Sequence, residues 1–278
     1  MDTEAKSRMR LINDLHNALA DNQFSIHYQP IVDLSTGAIN KAEALIRWQH
    51  PQRGLISPAE FIPVAEETGL INEIGEWVFH EAARQVAIWR ASHNHAFQIS
   101  INKSPLQFLH KNKSHGDWIS HLNTLELSGQ SIVVEITEGL LLDGNTSITD
   151  QLLEFRDAGI QISLDDFGTG YSSLSYLQKF DIDYLKIDQS FVRNLSPNSS
   201  NMALCEAIIV MAHKLGIKVI AEGIETQAQC DFLTAAKCDY GQGYLFSRPV
   251  PANEFEESIL YLPELVVATQ VNHYEVTH

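Results

Sequence analysis

Eight short apolar runs, each reading as a β-strand and most of them closing on a carboxylate or an amide, constrain this 278-residue chain more than any other feature. The runs are FSIHYQPI, INKAEALIRWQ, FQISIN, SIVVEIT, IQISLDD, IDYLKID, KVIAEG and YGQGYLF. A carboxylate is costly in an apolar core unless it is paired or metal-bound. The placement of Glu43, Asn102, Glu135, Asp165 with Asp166, Glu222 and Gln242 at or near strand ends therefore points to one shared polar site.

Helical periodicity covers residues 58–67, 71–91, 147–158, 199–215 and 226–236, with shorter segments around 105–125 and 172–179. A lead-in helix runs from Arg8 to Ala20, with apolar positions at 9, 11, 12, 15, 18 and 19. The chain opens with a two-strand unit and then alternates strand and helix, which favours a parallel sheet over a sandwich or a bundle. Eight strands suit closure into a TIM-like (β/α)8 barrel, whose strand C-termini surround a single pocket. A doubly wound open sheet is the alternative, since its ligand crevice also lies beyond strand C-termini.

The 35 acidic residues outnumber the 19 Lys and Arg, for a formal charge of -16. That balance disfavours attraction to a DNA or RNA polymer or to an anionic membrane, so an anionic ligand needs local charge neutralisation. Cys205, Cys230 and Cys238 lack the density and spacing of a disulfide framework and read as thiols of a reducing compartment. No run approaches the ~18 apolar residues of a membrane span, which sets the expectation of a cytoplasmic domain. Any membrane anchor would belong to a larger protein.

The donor types specify the chemistry. Amide and carboxylate oxygens suit Mg²⁺ or Mn²⁺ better than zinc, although Asn102 taken alone fits a turn or a helix cap slightly better than a metal ligand. Asp165 and Asp166 stand where LDDFGTG leaves its strand, and a bend there would turn both toward one cavity. Glu43 and Arg47 alternate onto one face, as do Lys186 and Asp188; either pair on its own would read as a structural ion pair. Glu222, Glu225 and Gln242 add groups at the last two strand ends. Two cations roughly 3.5–4 Å apart, held by such acids, would neutralise a phosphodiester and acidify a water.

Other chemistries fit poorly. His27, His50, His80, His93 and His95 form no compact zinc motif. DFG occurs within DDFGTG, but the glycine loop and HRD segment of a kinase are missing.

Taken together, EALIRW, SIN, VVEITEG, LDDFGTGYSSL, YLKID, VIAEGIE and QGYLFSRP resemble the bacterial EAL-domain cyclic-di-GMP phosphodiesterases over roughly residues 8–262. The resemblance implies a TIM-like barrel with one strand opposed to the others, and hydrolysis of cyclic di-GMP to linear 5′-pGpG. It implies a linker helix at 1–20, the catalytic domain at 21–262 and a C-terminal extension at 263–278. By it, Glu43, Asn102, Glu135, Asp165, Asp166 and Glu222 hold two Mg²⁺ or Mn²⁺ ions, and Lys186 positions or activates water, with Glu43 and Asp165 sharing the catalytic work. Arg47 meets substrate phosphate, Glu138 anchors the FGTGYSS loop, and Asp188, Glu225 and Gln242 support the pocket. A homodimer and an upstream sensor or cyclase-like domain are further implications. Some members of the family only bind nucleotide or a partner protein, but here every recognised position carries the expected chemical type, which favours an enzyme.

Overall fold

The computed structural model describes residues 2–109, 116–142, 146–168, 177, 180–197 and 199–260. The ten strands are β1 (Phe24–Asp33), β2 (Ile39–His50), β3 (Gly54–Ile56), β4 (Gln98–Asn102), β5 (Ile132–Thr137), β6 (Gln161–Phe167), β7 (Tyr184–Ile187), β8 (Lys218–Ala221), β9 (Tyr240–Gly241) and β10 (Val250–Pro251). The order β1-β9-β8-β7-β6-β5-β4-β2 closes on itself through a β1–β2 pairing, making an eight-stranded barrel. β1 runs antiparallel to both its barrel neighbours, and the other seven strands are parallel. The expected barrel with one opposed strand is therefore the fold, and the open sheet is excluded. β3 and β10 are short antiparallel additions that the sequence pattern did not single out.

Helices surround the barrel: α1 (Asp2–Ala18), α2 (Pro58–Thr68), α3 (Ile71–Ser92), α4 (Pro105–Leu109), α5 (Gly116–Thr124), α6 (Glu138–Leu142), α7 (Thr146–Asp157), α8 (Gln189–Arg193), α9 (Ser200–Lys214), α10 (Gln227–Ala235) and α11 (Ala252–Phe255). Local chemistry sets several ends. Pro58 opens α2 and Gly69, at φ 79°, closes it in the left-handed region. Thr226 and Gln229 form a capping box on α10. The lead-in helix exists, burying Leu11, Leu15 and Ala18 and leaving Met9 exposed. Of the segment 172–179 only Leu177 is described, and the extension at 263–278 lies outside the described residues.

Alternation within the strands builds the barrel interior in layers. Ile31, Val133, Tyr184 and Ile220 form a buried cluster, with Tyr240 packed against it. Four of these five stand two residues before Glu135, Lys186, Glu222 and Gln242, while Ile31, on the reversed strand, stands two residues after Gln29. Lys41, Ser100 and Ser163 hold the same relation to Glu43, Asn102 and Asp165 and are also buried. The apolar and aromatic layer thus plugs the barrel and forms the floor of a polar layer at the strand C-termini.

Candidate active site

Lys186 occupies the middle of that polar layer. Its ammonium lies 2.7 Å from Glu135 Oε2, 2.7 Å from Glu222 Oε1, 3.4 Å from Glu43 Oε2 and 3.6 Å from Asp165 Oδ1. Four strands thus aim carboxylates at one buried cation from a fifth. Asn102 Nδ2 donates to Glu43 Oε1 at 2.7 Å, and Gln242 Nε2 donates to Glu43 Oε2 at 2.7 Å. Gln242 Nε2 also donates to Gln29 Oε1, and Gln29 Nε2 in turn donates to the Ser247 carbonyl. Gln29 is a site residue that the strand-end pattern missed, because β1 enters the layer from the opposite direction. The polar residue inside the apolar run FSIHYQPI was the available signal.

A bend at the end of β6 brings the carboxylates of Asp165 and Asp166 near one another and near Glu222. Asp166 adopts φ 55°, the β6–β7 register shifts between Leu164 and Phe167, and the Asp166 amide donates to Asp165 Oδ1. Carboxylate oxygens of Asp165, Asp166 and Glu222 all lie within 4.8 Å of one another, so the three acids are spaced to share an ion. Glu138 Oε2 accepts from the Gly168 amide at 3.4 Å, which ties the start of α6 to the beginning of the FGTGYSS segment. Residues 169–173 of that segment lie outside the described residues.

The Lys186–Asp188 pairing suggested by alternation is not what forms. β7 ends at Ile187, and Asp188 caps α8 by accepting from the Ser190 amide, so the partners of Lys186 come from other strands. Arg47 likewise makes no ion pair with Glu43; its Nη1 donates to the Ile46 carbonyl while its side chain lines a cleft. Glu225 is exposed on the wall of a second recess.

Two of the four carboxylates around Lys186, Glu43 and Glu135, are shifted in opposite directions for a structural reason. Burial works to raise Glu43, but the Lys186 charge and hydrogen bonds from Gln242, Asn102 and Lys186 outweigh it and hold the group below its ordinary value. Burial pushes Glu135 well above the usual carboxylate range and repulsion from Glu43 adds to this, with Lys186 offsetting only part. Glu135 Oε1 is buried with no hydrogen-bond partner among the described residues. Glu222 is raised to about 7 by burial, and Asp166 is raised by burial and by Asp165. Burial opposes the charge on Lys186, yet Asp165, Glu135, Glu222 and Glu43 together keep its pKa well above the ordinary ammonium value.

An unpartnered buried carboxylate oxygen, crowded acids and a purely oxygen donor set are what a hard divalent cation requires, so these residues fit Mg²⁺ or Mn²⁺. Two recesses flank the cluster. One, of about 300 Å³, has Arg47, Asn102, Glu135 and Thr137 on the barrel side and Pro58, Ile62 and Glu66 on α2. The other, of about 210 Å³, is bounded by Glu43, Glu222, Gln242, Gln189 and Tyr244.

The chain matches the EAL domain family model over residues 12–249. It is 41% identical over 265 residues to the bifunctional diguanylate cyclase/cyclic di-GMP phosphodiesterase MucR of Pseudomonas aeruginosa, a match covering 93% of this chain and 38% of that protein. It is 39% identical over 255 residues to the cyclic di-GMP phosphodiesterase NbdA of the same organism, covering 91% of this chain and 32% of the relative. The chain therefore spans between about a third and two fifths of the length of these relatives. A solved structure described as the PaMucR phosphodiesterase in complex with c-di-GMP superposes with a TM-score of 0.81 at 40% identity, covering 88% of this chain and 99% of the other. The closed barrel, the motifs on its strand ends and these matches agree, and the chain belongs to the EAL domain family.

Proposed function

We propose that this domain hydrolyses one phosphodiester bond of cyclic di-GMP to give linear 5′-pGpG, using water and two divalent cations. The observation that carries the reading is the convergence of Glu43, Glu135, Asp165, Glu222 and the adjoining Asp166 on a site whose buried ammonium is Lys186. With all five acids ionised, Lys186 balances one charge, and two Mg²⁺ or Mn²⁺ ions would balance the remainder. Glu43, Asn102, Glu135, Asp165, Asp166 and Glu222 would hold the ions. When bound, the ions supply charge neutralisation at the phosphate and a water acidified toward neutral pH.

The chain's own residues do the rest. Lys186, kept charged by its carboxylate neighbours, orients the attacking water and stabilises negative charge developing on the phosphate. The attack adds water oxygen to phosphorus and breaks one phosphorus–oxygen bond to ribose; the leaving oxygen takes up a proton as the ring opens. Glu43 and Asp165, beside Lys186, complete the catalytic set, and Arg47 meets substrate phosphate from the rim. Gln242 fixes Glu43, Glu138 fixes the start of the following loop, and Asp188 and Glu225 support the recess walls. Two recesses on either side of the acids suit a substrate with a base at each end of a phosphate ring.

The same reading sets the catalytic unit at 21–262, with 1–20 as a linker and 263–278 as an extension. It places the unit in the cytoplasm within a longer, homodimeric signalling protein carrying an upstream sensor or cyclase-like domain; the greater length of the relatives supports the longer protein alone. Among the described residues no helix is long and apolar enough to cross a membrane.

The test is incubation of metal-stripped protein with cyclic di-GMP, with and without Mg²⁺ or Mn²⁺, followed by chromatography with mass detection. Metal-dependent 5′-pGpG is the expected result. Intact substrate from folded, metal-loaded protein would overturn the reading.

A further inference from the structure

Directly beneath the acids, Ser163 presents a hydroxyl whose oxygen is fully buried and has no hydrogen-bond partner among the described residues. Ser163 is the register partner of Glu135 across β5–β6, and Asp165, two residues on, faces the same interior. Glu135 is equally buried, and its Oε1 is also without a partner, while its Oε2 receives the Lys186 ammonium at 2.7 Å. A buried donor and a buried acceptor on paired residues, both unsatisfied, is a costly arrangement unless each is the other's partner in some state of the site. The residues flanking Ser163 in this layer, Val133 and Tyr184, belong to the apolar plug; of the two, only Tyr184 has a polar group, and its hydroxyl is taken by Lys41 and Gln161.

We infer that Ser163 is a positioning residue for the metal site: when a cation is held, its hydroxyl donates to Glu135 Oε1, directly or through one water, and so fixes the carboxylate plane that Glu135 offers to the cation. The inference rests on the reading of Glu135 as a metal ligand. The energetic logic follows from the competition for that carboxylate. Lys186 holds one oxygen; a bond from Ser163 to the other, formed when a cation is held, adds to the affinity for that cation, and without it the ion binds more weakly. Partners that orient a ligand in this way typically change metal affinity by about 10–100-fold.

Mn²⁺ alone is the probe. Titrating metal-free protein with Mn²⁺ and counting free ion by electron paramagnetic resonance gives the affinity of the wild type, S163A and E135Q, with thermal denaturation of the metal-free proteins alongside. S163A is expected to bind Mn²⁺ about tenfold more weakly while its metal-free melting temperature stays the same or rises, because an unpaired buried hydroxyl has been removed. A purely structural serine would not separate the two readouts. Unchanged affinity in S163A with E135Q impaired overturns the role of Ser163 while leaving the metal site intact. A weaker affinity accompanied by a matching loss of metal-free stability assigns Ser163 to packing and also overturns it. Failure of the wild type to bind Mn²⁺ removes the underlying reading and this inference with it.

Discussion

The Lys186 ammonium donates to Glu135 Oε2 at 2.7 Å, with both side chains buried inside the barrel. An ion pair so enclosed is worth little by itself, since the desolvation of both charges offsets their attraction. Its consequence is competition: Lys186 already occupies the focus that Glu135, Glu222, Glu43 and Asp165 share, where a divalent cation would also be drawn.

Replacing Lys186 with Met removes that internal cation and keeps an unbranched chain in the core. Mn²⁺ affinity is expected to hold or increase, because the acids lose a competitor, while kcat falls by about 10²-fold or more for want of the group that orients water. Calorimetric Mn²⁺ titration together with steady-state turnover decides it; an unchanged kcat would remove Lys186 from the chemistry.

Glu135→Gln keeps the shape and removes the charge. Because burial and Glu43 already raise the pKa of Glu135, the metal-free protein should melt no lower than wild type. Metal-supported turnover should drop by about 10²-fold, as expected when a ligand is lost from a charge-neutralising centre. Equal turnover at matched metal concentration would show that Glu135 is not an essential ligand.

Lys41 sets a pH dependence in the layer beneath the acids. Burial, with repulsion from Lys218, lowers it from 10.5 to about 7, and its ammonium sits 4.5 Å from the Tyr184 ring centroid with Tyr184 Oη and Gln98 as hydrogen-bond acceptors. Between pH 7 and 10.5 the unfolded chain binds the proton that the folded chain has released, so this group's contribution to stability rises with pH across that window; below 7 the penalty is present in full. K41M should therefore exceed wild type by about 1–4 kcal/mol at pH 6, with the gap closing toward pH 10. Urea denaturation at the two pH values measures it, and a gap independent of pH would contradict the shift.

Gly243 allows the last strand end to close on its neighbour. A Cβ there would lie 2.1 Å from the Ile224 carbonyl oxygen and 2.3 Å from its amide nitrogen, backbone atoms that no rotamer change can move aside. Gly243→Ala should cost about 1–3 kcal/mol through overpacking and displace Gln242 from Glu43. Chemical denaturation and turnover should fall together, and a fully stable variant would show that the backbone yields more easily than the contact implies.

How much of this was legible beforehand follows from the period of a strand. Alternation set Lys186 and the strand-end acids Glu135 and Glu222 each on one face of its own strand, but the layer they share above Val133, Tyr184 and Ile220 became visible only with the strand register. The same rule misassigned Asp188 as the partner of Lys186: it counts residues along one strand and does not see that β7 stops at Ile187, where Asp188 turns to cap a helix. Gln29 escaped because it lies within a run instead of at its end, on the one strand that enters the layer reversed.

The sequence by itself determined the eight strands, their alternation with helices, the oxygen-rich donor set and the family, because apolar periodicity and residue chemistry are local properties of the chain. Tertiary structure alone decided that the opposed strand is β1, that four carboxylates share Lys186, and that Glu43 and Glu135 shift in opposite directions. Those outcomes depend on distances between residues far apart in sequence, and on which donors reach each buried oxygen once water has been excluded.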